Sequence, residues 1–279
     1  MKKINVIMNF GSREATWQEC LRQAASIGFD GVEFGQKIGP EEAALLRELH
    51  LALVKTTVFP DESGAIDNAD LLQSFGTKYT AINVPVRFGN HTQALACAEK
   101  LNELGAIVGK YGFKIVYHNH TTEFRFMEGE YLLETVIRHT DPNTVCFCLD
   151  CGWAACAGVD VPALLRKYPG RFENLHLKAC TEVLGPEAVC FMAPGPDGVE
   201  RKPDPAEIPA IIGRAQSVNG PMKDSVVDWK EVIKAAEAGG CTTFIVERER
   251  AYRGTMLDCL KDDLEYFRSI DDSFSEVSQ

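Results

Sequence analysis

The sequence predicts a (β/α)8 barrel, on two observations. Short apolar runs rich in β-branched residues alternate with longer amphipathic segments, and the alternation occurs eight times within 279 residues. Runs of β-branched residues suit strands buried on both faces. Eight parallel strand–helix units in a chain of this size fit a closed barrel in one domain, 1–279. A doubly wound open sheet is the runner-up, but it usually uses fewer strands. No Gly-x-Gly-x-x-Gly follows the first run, so a dinucleotide-binding version lacks its main support.

The first unit joins the run INVIM to the segment TWQECLRQAASIG, the second GVEFG to GPEEAALLRELH, the third ALVKTTVF to NADLLQSFG and the fourth TAINVPV to QALACAEKLNELGAIVGKYG. The fifth joins KIVYHN to EYLLETVIRHT, the sixth VCFCLD to VPALLRKYPG, and the eighth TFIVER to TMLDCLKDDLEYFRSI. The seventh run, ENLHLK, reaches its helix, DWKEVIKAAEAGG, only after a detour over residues 180–224. The longer segments space apolar residues by three and four beside charged ones, as at Leu45, Leu46, Leu49 and Leu51, the pattern of a helix with one buried face. The detour is a loop insertion rich in Pro and Gly. Phe191, Met192, Ile208, Ile211 and Ile212 give it apolar anchors, so it reads as a lid or subunit contact rather than a free tail.

A hydrophobic fraction of 45% and a charged fraction of 25% are those of a soluble globular protein. The net charge of −11 argues against nucleic acid or an anionic membrane as partner, because phosphate-rich surfaces need a basic face. The N-terminus lacks the long apolar core of a signal peptide, and no apolar stretch approaches the roughly 20 residues of a membrane helix. The expected location is cytoplasmic. The ten cysteines are scattered through a long chain and are read as reduced thiols. In the cluster CFCLDC, Cys146, Cys148 and Cys151 lack a second ligand pair at zinc-site spacing and are read as small core residues.

Barrels of this kind keep their active sites at the C-terminal strand ends. The fifth run leads to Glu123, the sixth ends in Asp150, the seventh carries His176 and Lys178, and the eighth carries Glu247. Three carboxylates and one imidazole on four adjacent strands suit one divalent cation, Mn2+ foremost, with Mg2+, Co2+ or Zn2+ as alternatives. Each residue alone has a plainer reading. An acid at a strand end caps the following helix, a lone histidine bonds a neighbouring carbonyl, and Glu33 at the second strand's end either reaches the rim or forms a surface or core salt bridge. Side chains alternate along a strand, so an inward Asp150 carries Cys148 and Cys146 inward, and an inward His176 brings Lys178 one layer nearer the rim. Trp153 and Phe124 are candidate sugar platforms. Arg248, Arg250 and Arg253 are read as exposed helix-start arginines rather than a phosphate cup.

The motifs IGFDGVEF, YHNHTTEF, LDCGWAACAGVD, RFENLHLK, VVDWKEVIKAAEAGG and FIVERE, in this order from about Asn5 to Ile270, resemble the sugar phosphate isomerase/epimerase superfamily, the xylose isomerase-like TIM barrels. The resemblance implies one divalent metal held by Glu123, Asp150, His176 and Glu247. It also implies that Glu123 and Glu247 move a proton beside a carbonyl through a metal-stabilised enediolate. Some relatives place the first ligand on the strand itself, where His118 or His120 sits here. In relatives with the HNH form, His118 and His120 resemble substrate-orienting residues; Trp153 is a candidate substrate-binding residue by its own place in a βα loop, where it packs on a sugar face or closes the loop. Where the family often has HLKD, this chain has Ala179 in place of the acid.

The chemistry explains the residue types. A divalent cation takes up the charge that develops when a proton leaves the carbon beside a sugar carbonyl, and a carboxylate accepts that proton. Return of the proton to the opposite face epimerises, return to the neighbouring carbon isomerises, and loss of a β-hydroxyl dehydrates. The expected activity is therefore a metal-dependent isomerase or epimerase of a keto-sugar, sugar phosphate or keto-inositol. A lyase on the same scaffold, an inosose dehydratase or a keto- or C-glycoside cleaving enzyme, is the alternative. Lys178 or His118 would protonate a leaving oxygen. A small carbohydrate is the expected partner, and relatives range from monomers to tetramers, so a homo-oligomer is admitted. A DNA-repair endonuclease of the same barrel type is disfavoured, since its three-zinc site needs more than the six histidines present here. A non-catalytic sugar-binding barrel is the remaining class.

Overall fold

The computed structural model describes residues 3–8, 15–81, 89–188, 193–194, 200–201 and 204–271. Eight strands form a closed parallel barrel in chain order: β1 Ile4–Ile7, β2 Gly31–Phe34, β3 Ala52–Thr57 and β4 Tyr79–Ala81, then β5 Lys114–His118, β6 Val145–Asp150, β7 Phe172–Leu177 and β8 Thr243–Val246. Closure comes from β1 pairing with both β2 and β8, so the sheet has no free edge. The expected fourth strand is short; the rest of its run, residues 82–86, lies outside the described residues.

The helices between strands start where the sequence supplies caps. Thr16 caps α1 (Trp17–Ile27) with Glu19 closing a capping box, and Gly28 ends it at φ 97°, a left-handed conformation that costs glycine nothing. α2 is Pro40–Glu48, α3 Ala69–Ser74 and α4 His91–Gly109. α5 is Leu132–Arg138, and α7, Val161–Lys167, is capped by Asp160. Asp228 caps α9 (Trp229–Ala238), and Thr255 with Asp258 caps α10 (Met256–Ile270). Each side-chain oxygen satisfies a backbone N–H that the first helical turn leaves unpaired.

Sequence reasoning missed two helices and two hairpins. α6 (Cys151–Cys156) follows β6 at once. α8 (Ile208–Ser217) lies inside the 180–224 detour, which is therefore partly helical. Of its expected apolar anchors, Ile212 is exposed and Ile208 and Ile211 are half-buried, while Ala215 and Val218 are buried instead; Phe191 and Met192 lie outside the described residues. Short antiparallel pairs join Phe126–Met127 to Glu130–Tyr131 and Ala193–Pro194 to Glu200–Arg201.

The core has two parts, as a barrel requires. The larger packs helices on the outer faces of strands, with Trp229 edge-on to Phe267 at 5.1 Å. The smaller lies inside the barrel and joins Tyr79, Val116, Cys146 and Cys148. The two alternate cysteines of β6 are thus floor residues under the strand ends, as parity predicts. All nine cysteines among the described residues are free and buried. Among those residues no helix is long and apolar enough to cross a membrane.

Candidate active site at the C-terminal strand ends

Strand register brings the site residues together. His118 pairs with Cys148, Asp150 with His176, and His176 with Ile245, two residues short of Glu247. His118, Asp150, His176 and Glu247 each offer one ligand atom, all within 4.8 Å of one another.

Asp150 divides its two oxygens between the plain role and the chemical one. Oδ1 accepts from the Trp153 N–H at 2.8 Å and caps α6. Oδ2 is buried with no hydrogen-bond partner and faces His118 Nε2 at 3.9 Å and Lys178 Nζ at 3.8 Å. Asn119 holds the strand end in place, its Oδ1 accepting from the Asp150 N–H at 2.9 Å. Burial pushes the Asp150 carboxyl up to about 7, with Lys178 opposing and Glu247 adding to the rise.

His176 is held on both sides. Nδ1 meets Glu247 Oε2 at 2.5 Å and Nε2 meets Glu33 Oε2 at 2.8 Å. Glu33 also pairs with Lys55 Nζ at 2.9 Å, its register partner on β3. Burial disfavours protonation of His176, but neighbouring Cys148, Glu33 and Glu247 outweigh it and raise the imidazole well above its ordinary range. The Glu33 salt bridge expected from sequence is present, and the same carboxylate also orients a site histidine. Lys55 was missed. Its signal was a lone lysine inside an otherwise apolar and β-branched strand.

Lys178 is buried beside three carboxylates: Glu249 Oε1 at 2.6 Å, Glu247 Oε1 at 3.4 Å and Asp150 at 3.8 Å. Burial opposes its charge, but Glu247, Asp150 and Glu249 raise its pKa further and keep the ammonium protonated. Its Nζ lies 3.8 Å from the centre of the Trp153 ring, a cation–π contact. Gly152 makes room for the stem, since a Cβ there would come within 2.6 Å of the Lys178 carbonyl and 2.9 Å of its Cγ. Trp153, only 3% exposed, lies under this lysine rather than open to solvent. Phe124 is a core residue edge-on to Tyr131.

Glu123 lies outside the four-residue group. It sits on a 3-10 turn, Thr122–Phe124. Its Oε1 accepts from the Tyr117 hydroxyl at 2.8 Å and its Oε2 from the His120 N–H and the Thr122 hydroxyl at 3.1 Å each. His118 stands in the group instead. Burial, then His176 and His120, lower its pKa well below the ordinary range, so the ring is neutral. His120 is half exposed, its ring 5.1 Å from that of His118 and 6.4 Å from Trp153.

Arg248 corrects the expectation of an exposed helix-start arginine. It is fully buried, with Nε and Nη2 each 2.6 Å from the Asp263 carboxylate and Nη2 3.1 Å from the Gly220 carbonyl. It ties the end of β8 to α10 and to the end of the detour. Asn219, also missed, bridges the β7 and β8 exits by donating to the Ala179 carbonyl and accepting from the Glu249 N–H.

The donor set fits a divalent cation. Asp150 and Glu247 offer carboxylate oxygens and His118 and His176 offer imidazole nitrogens, with the Lys55 and Lys178 ammoniums paired to the surrounding acids. Two carboxylates and two imidazoles within reach of one point suit a divalent cation, and Asp150 Oδ2, which has no hydrogen-bond partner, is available to it.

Comparison with known proteins agrees with this architecture. An inosose dehydratase of Clostridium perfringens is 28% identical over 193 residues, which cover 60% of this chain and 64% of that protein; the match therefore spans less than two thirds of that relative's length. A sugar phosphate isomerase/epimerase structure from Parabacteroides distasonis superposes with a TM-score of 0.69 at 19% identity, covering 99% of this chain and 96% of that one. A xylose isomerase-like barrel from Mycobacterium smegmatis, in complex with magnesium, superposes with a TM-score of 0.60 at 15% identity, over 98% and 97% of the two chains. At these identities the structures speak for the fold. The family model described as "xylose isomerase-like TIM barrel" matches residues 21–270. With a closed eight-stranded parallel barrel and that match over most of its length, the chain belongs to the xylose isomerase-like TIM barrel family.

Proposed function

We propose that this chain is a divalent-metal-dependent lyase that dehydrates a keto-inositol or related keto-sugar, beginning with removal of the proton beside the carbonyl. The observation that carries the reading is the convergence of His118, Asp150, His176 and Glu247, with the buried Asp150 Oδ2 unpartnered. Asp150, His176, Glu247 and His118 would hold the cation. When bound, it supplies positive charge for the oxygen that becomes anionic as the proton leaves.

Glu247 is the proton acceptor. It is buried, and although burial resists its charge, Lys178 and His176 hold its pKa well below the ordinary carboxylate range and keep it ionised. Its Oε1 faces Lys178 Nζ at 3.4 Å. Lys178, kept protonated, gives a proton to the departing β-hydroxyl, so water leaves and a carbon–carbon double bond forms. Glu123 orders the segment carrying His120 through the His120 N–H, and the half-exposed His120 binds substrate hydroxyls.

Dehydration is placed ahead of epimerisation for two reasons. Epimerisation asks for a second base on the opposite face, and the candidate, Glu123, lies outside the four-residue group, on a turn beyond the end of β5. The relative from Clostridium perfringens is named for a dehydratase. Isomerisation or epimerisation remains the second reading, favoured by the name of the Parabacteroides distasonis structure. The test is mass analysis of products from keto-inositols and keto-hexoses incubated with Mn2+-loaded protein. Loss of one water supports the lyase, whereas products of unchanged mass support the second reading.

A further inference from the structure

Below the oxygen-rich group lies a second set of ligand atoms. His118, Cys148 and His176 offer two nitrogens and a sulfur that all lie within 4.8 Å of one another. Cys148 is 1% exposed and pairs in register with His118 on one side and Asn174 on the other. Asn174 is fully buried, and neither its Oδ1 nor its Nδ2 has a hydrogen-bond partner. By strand parity with His176, Asn174 points into the barrel. A polar side chain with an uncommitted carbonyl oxygen thus stands beside the thiol.

We infer that the barrel holds a second, deeper metal position, in which His118, the Cys148 thiolate and His176 take a thiophilic divalent cation such as Zn2+ or Cd2+. The two positions share His118 and His176, so they exclude one another. The upper one, with Asp150 and Glu247, is rich in oxygen and suits Mn2+ or Mg2+; the lower one replaces both carboxylates with sulfur, which selects softer ions. Two imidazoles and a thiolate are a zinc donor set that leaves a fourth position open, beside the Asn174 amide. Binding releases the thiol proton to solvent, with no change of oxidation state. Thiophilic cations therefore compete with the catalytic ion by drawing the shared histidines down one layer. The inference rests on the proposed function only through those two histidines.

X-ray absorption of the full chain loaded with one equivalent of Zn2+ tests it directly. The expected spectrum contains one sulfur at about 2.3 Å among nitrogen or oxygen neighbours at about 2.0–2.1 Å. Cys148→Ser is expected to remove the sulfur and to weaken Cd2+ binding by more than about 10-fold, the loss that even an outer-sphere partner causes. Cys146→Ser, one layer lower, is expected to keep the sulfur. A wild-type spectrum with nitrogen and oxygen alone overturns the inference, as does a sulfur that survives Cys148→Ser; the wild-type spectrum decides even where a variant fails to fold. Sulfur without Mn2+ binding upholds this position and removes the upper one, while Mn2+ binding without sulfur does the reverse.

Discussion

Glu33 Oε2 lies 2.8 Å from His176 Nε2, so the second strand of the barrel orients a histidine on the seventh. A carboxylate on the far nitrogen fixes a metal-binding imidazole and raises its basicity. Glu33→Gln is therefore expected to weaken Mn2+ binding by about 10–100-fold in a calorimetric titration. Unchanged affinity would mean that His176 needs no such support.

Lys55 is the partner that keeps Glu33 charged inside the barrel, and both are buried. Removing Lys55 takes the ammonium from a buried carboxylate that then faces His176 without it. Lys55→Met is expected to cost about 3–5 kcal/mol of stability in denaturant titration, and Lys55→Met/Glu33→Gln is expected to recover part of it. A double variant as unstable as the sum of the singles would show that the two do not act as a pair.

Arg248 and Asp263 make the same kind of prediction away from the site. Arg248→Met is expected to destabilise by about 3–5 kcal/mol, with Asp263→Leu restoring part of the loss in the double variant. A melting temperature unchanged by Arg248→Met would remove this buried pair from the account of how α10 is held.

His118 and Glu123 compete for the place of the first metal ligand. The geometry predicts that His118→Ala lowers Mn2+ affinity more than Glu123→Gln does, because Glu123 is committed to Tyr117, His120 and Thr122. The opposite order in the same titration would return Glu123 to the metal.

Acid stability has a named contributor. Bonds from Arg138, against the opposing effect of burial, hold the Glu130 carboxyl down to about 2. A depressed carboxylate stabilises the fold above its unfolded pKa, near 4.5, and that contribution is lost as pH falls toward 2. Arg138→Leu is expected to make stability fall less steeply across this window; an unchanged slope in urea titrations would show that the pair does not contribute.

How much of this was legible in the sequence follows from what each residue's neighbours are. The eight strands and their helices could be read because β-branched runs and helical spacing are local signals. α6 was hidden because its cap, Asp150, looked like the end of a strand and its six residues are too few for a period. α8 was hidden inside a segment rich in Pro and Gly. At the site, Asp150, His176 and Glu247 were visible as polar strand ends. The roles of Glu33, Lys55, Asn119 and Asn219 were not, because each acts on a residue remote in the chain and only folding brings the two together. Glu123 and His118 are five residues apart on one strand exit, and which of them faces the ligand group depends on the turn between them.

Removal of a proton beside a carbonyl is the step proposed for the group of His118, Asp150, His176 and Glu247. The most direct measurement is proton magnetic resonance of a keto-inositol incubated in D2O with the Mn2+-loaded protein, beside metal-free protein and Glu247→Gln. The account predicts deuterium entering the carbon next to the carbonyl, or a dehydrated product, with the loaded wild-type protein alone. Turnover at equal rates in the metal-free protein or in Glu247→Gln would contradict it.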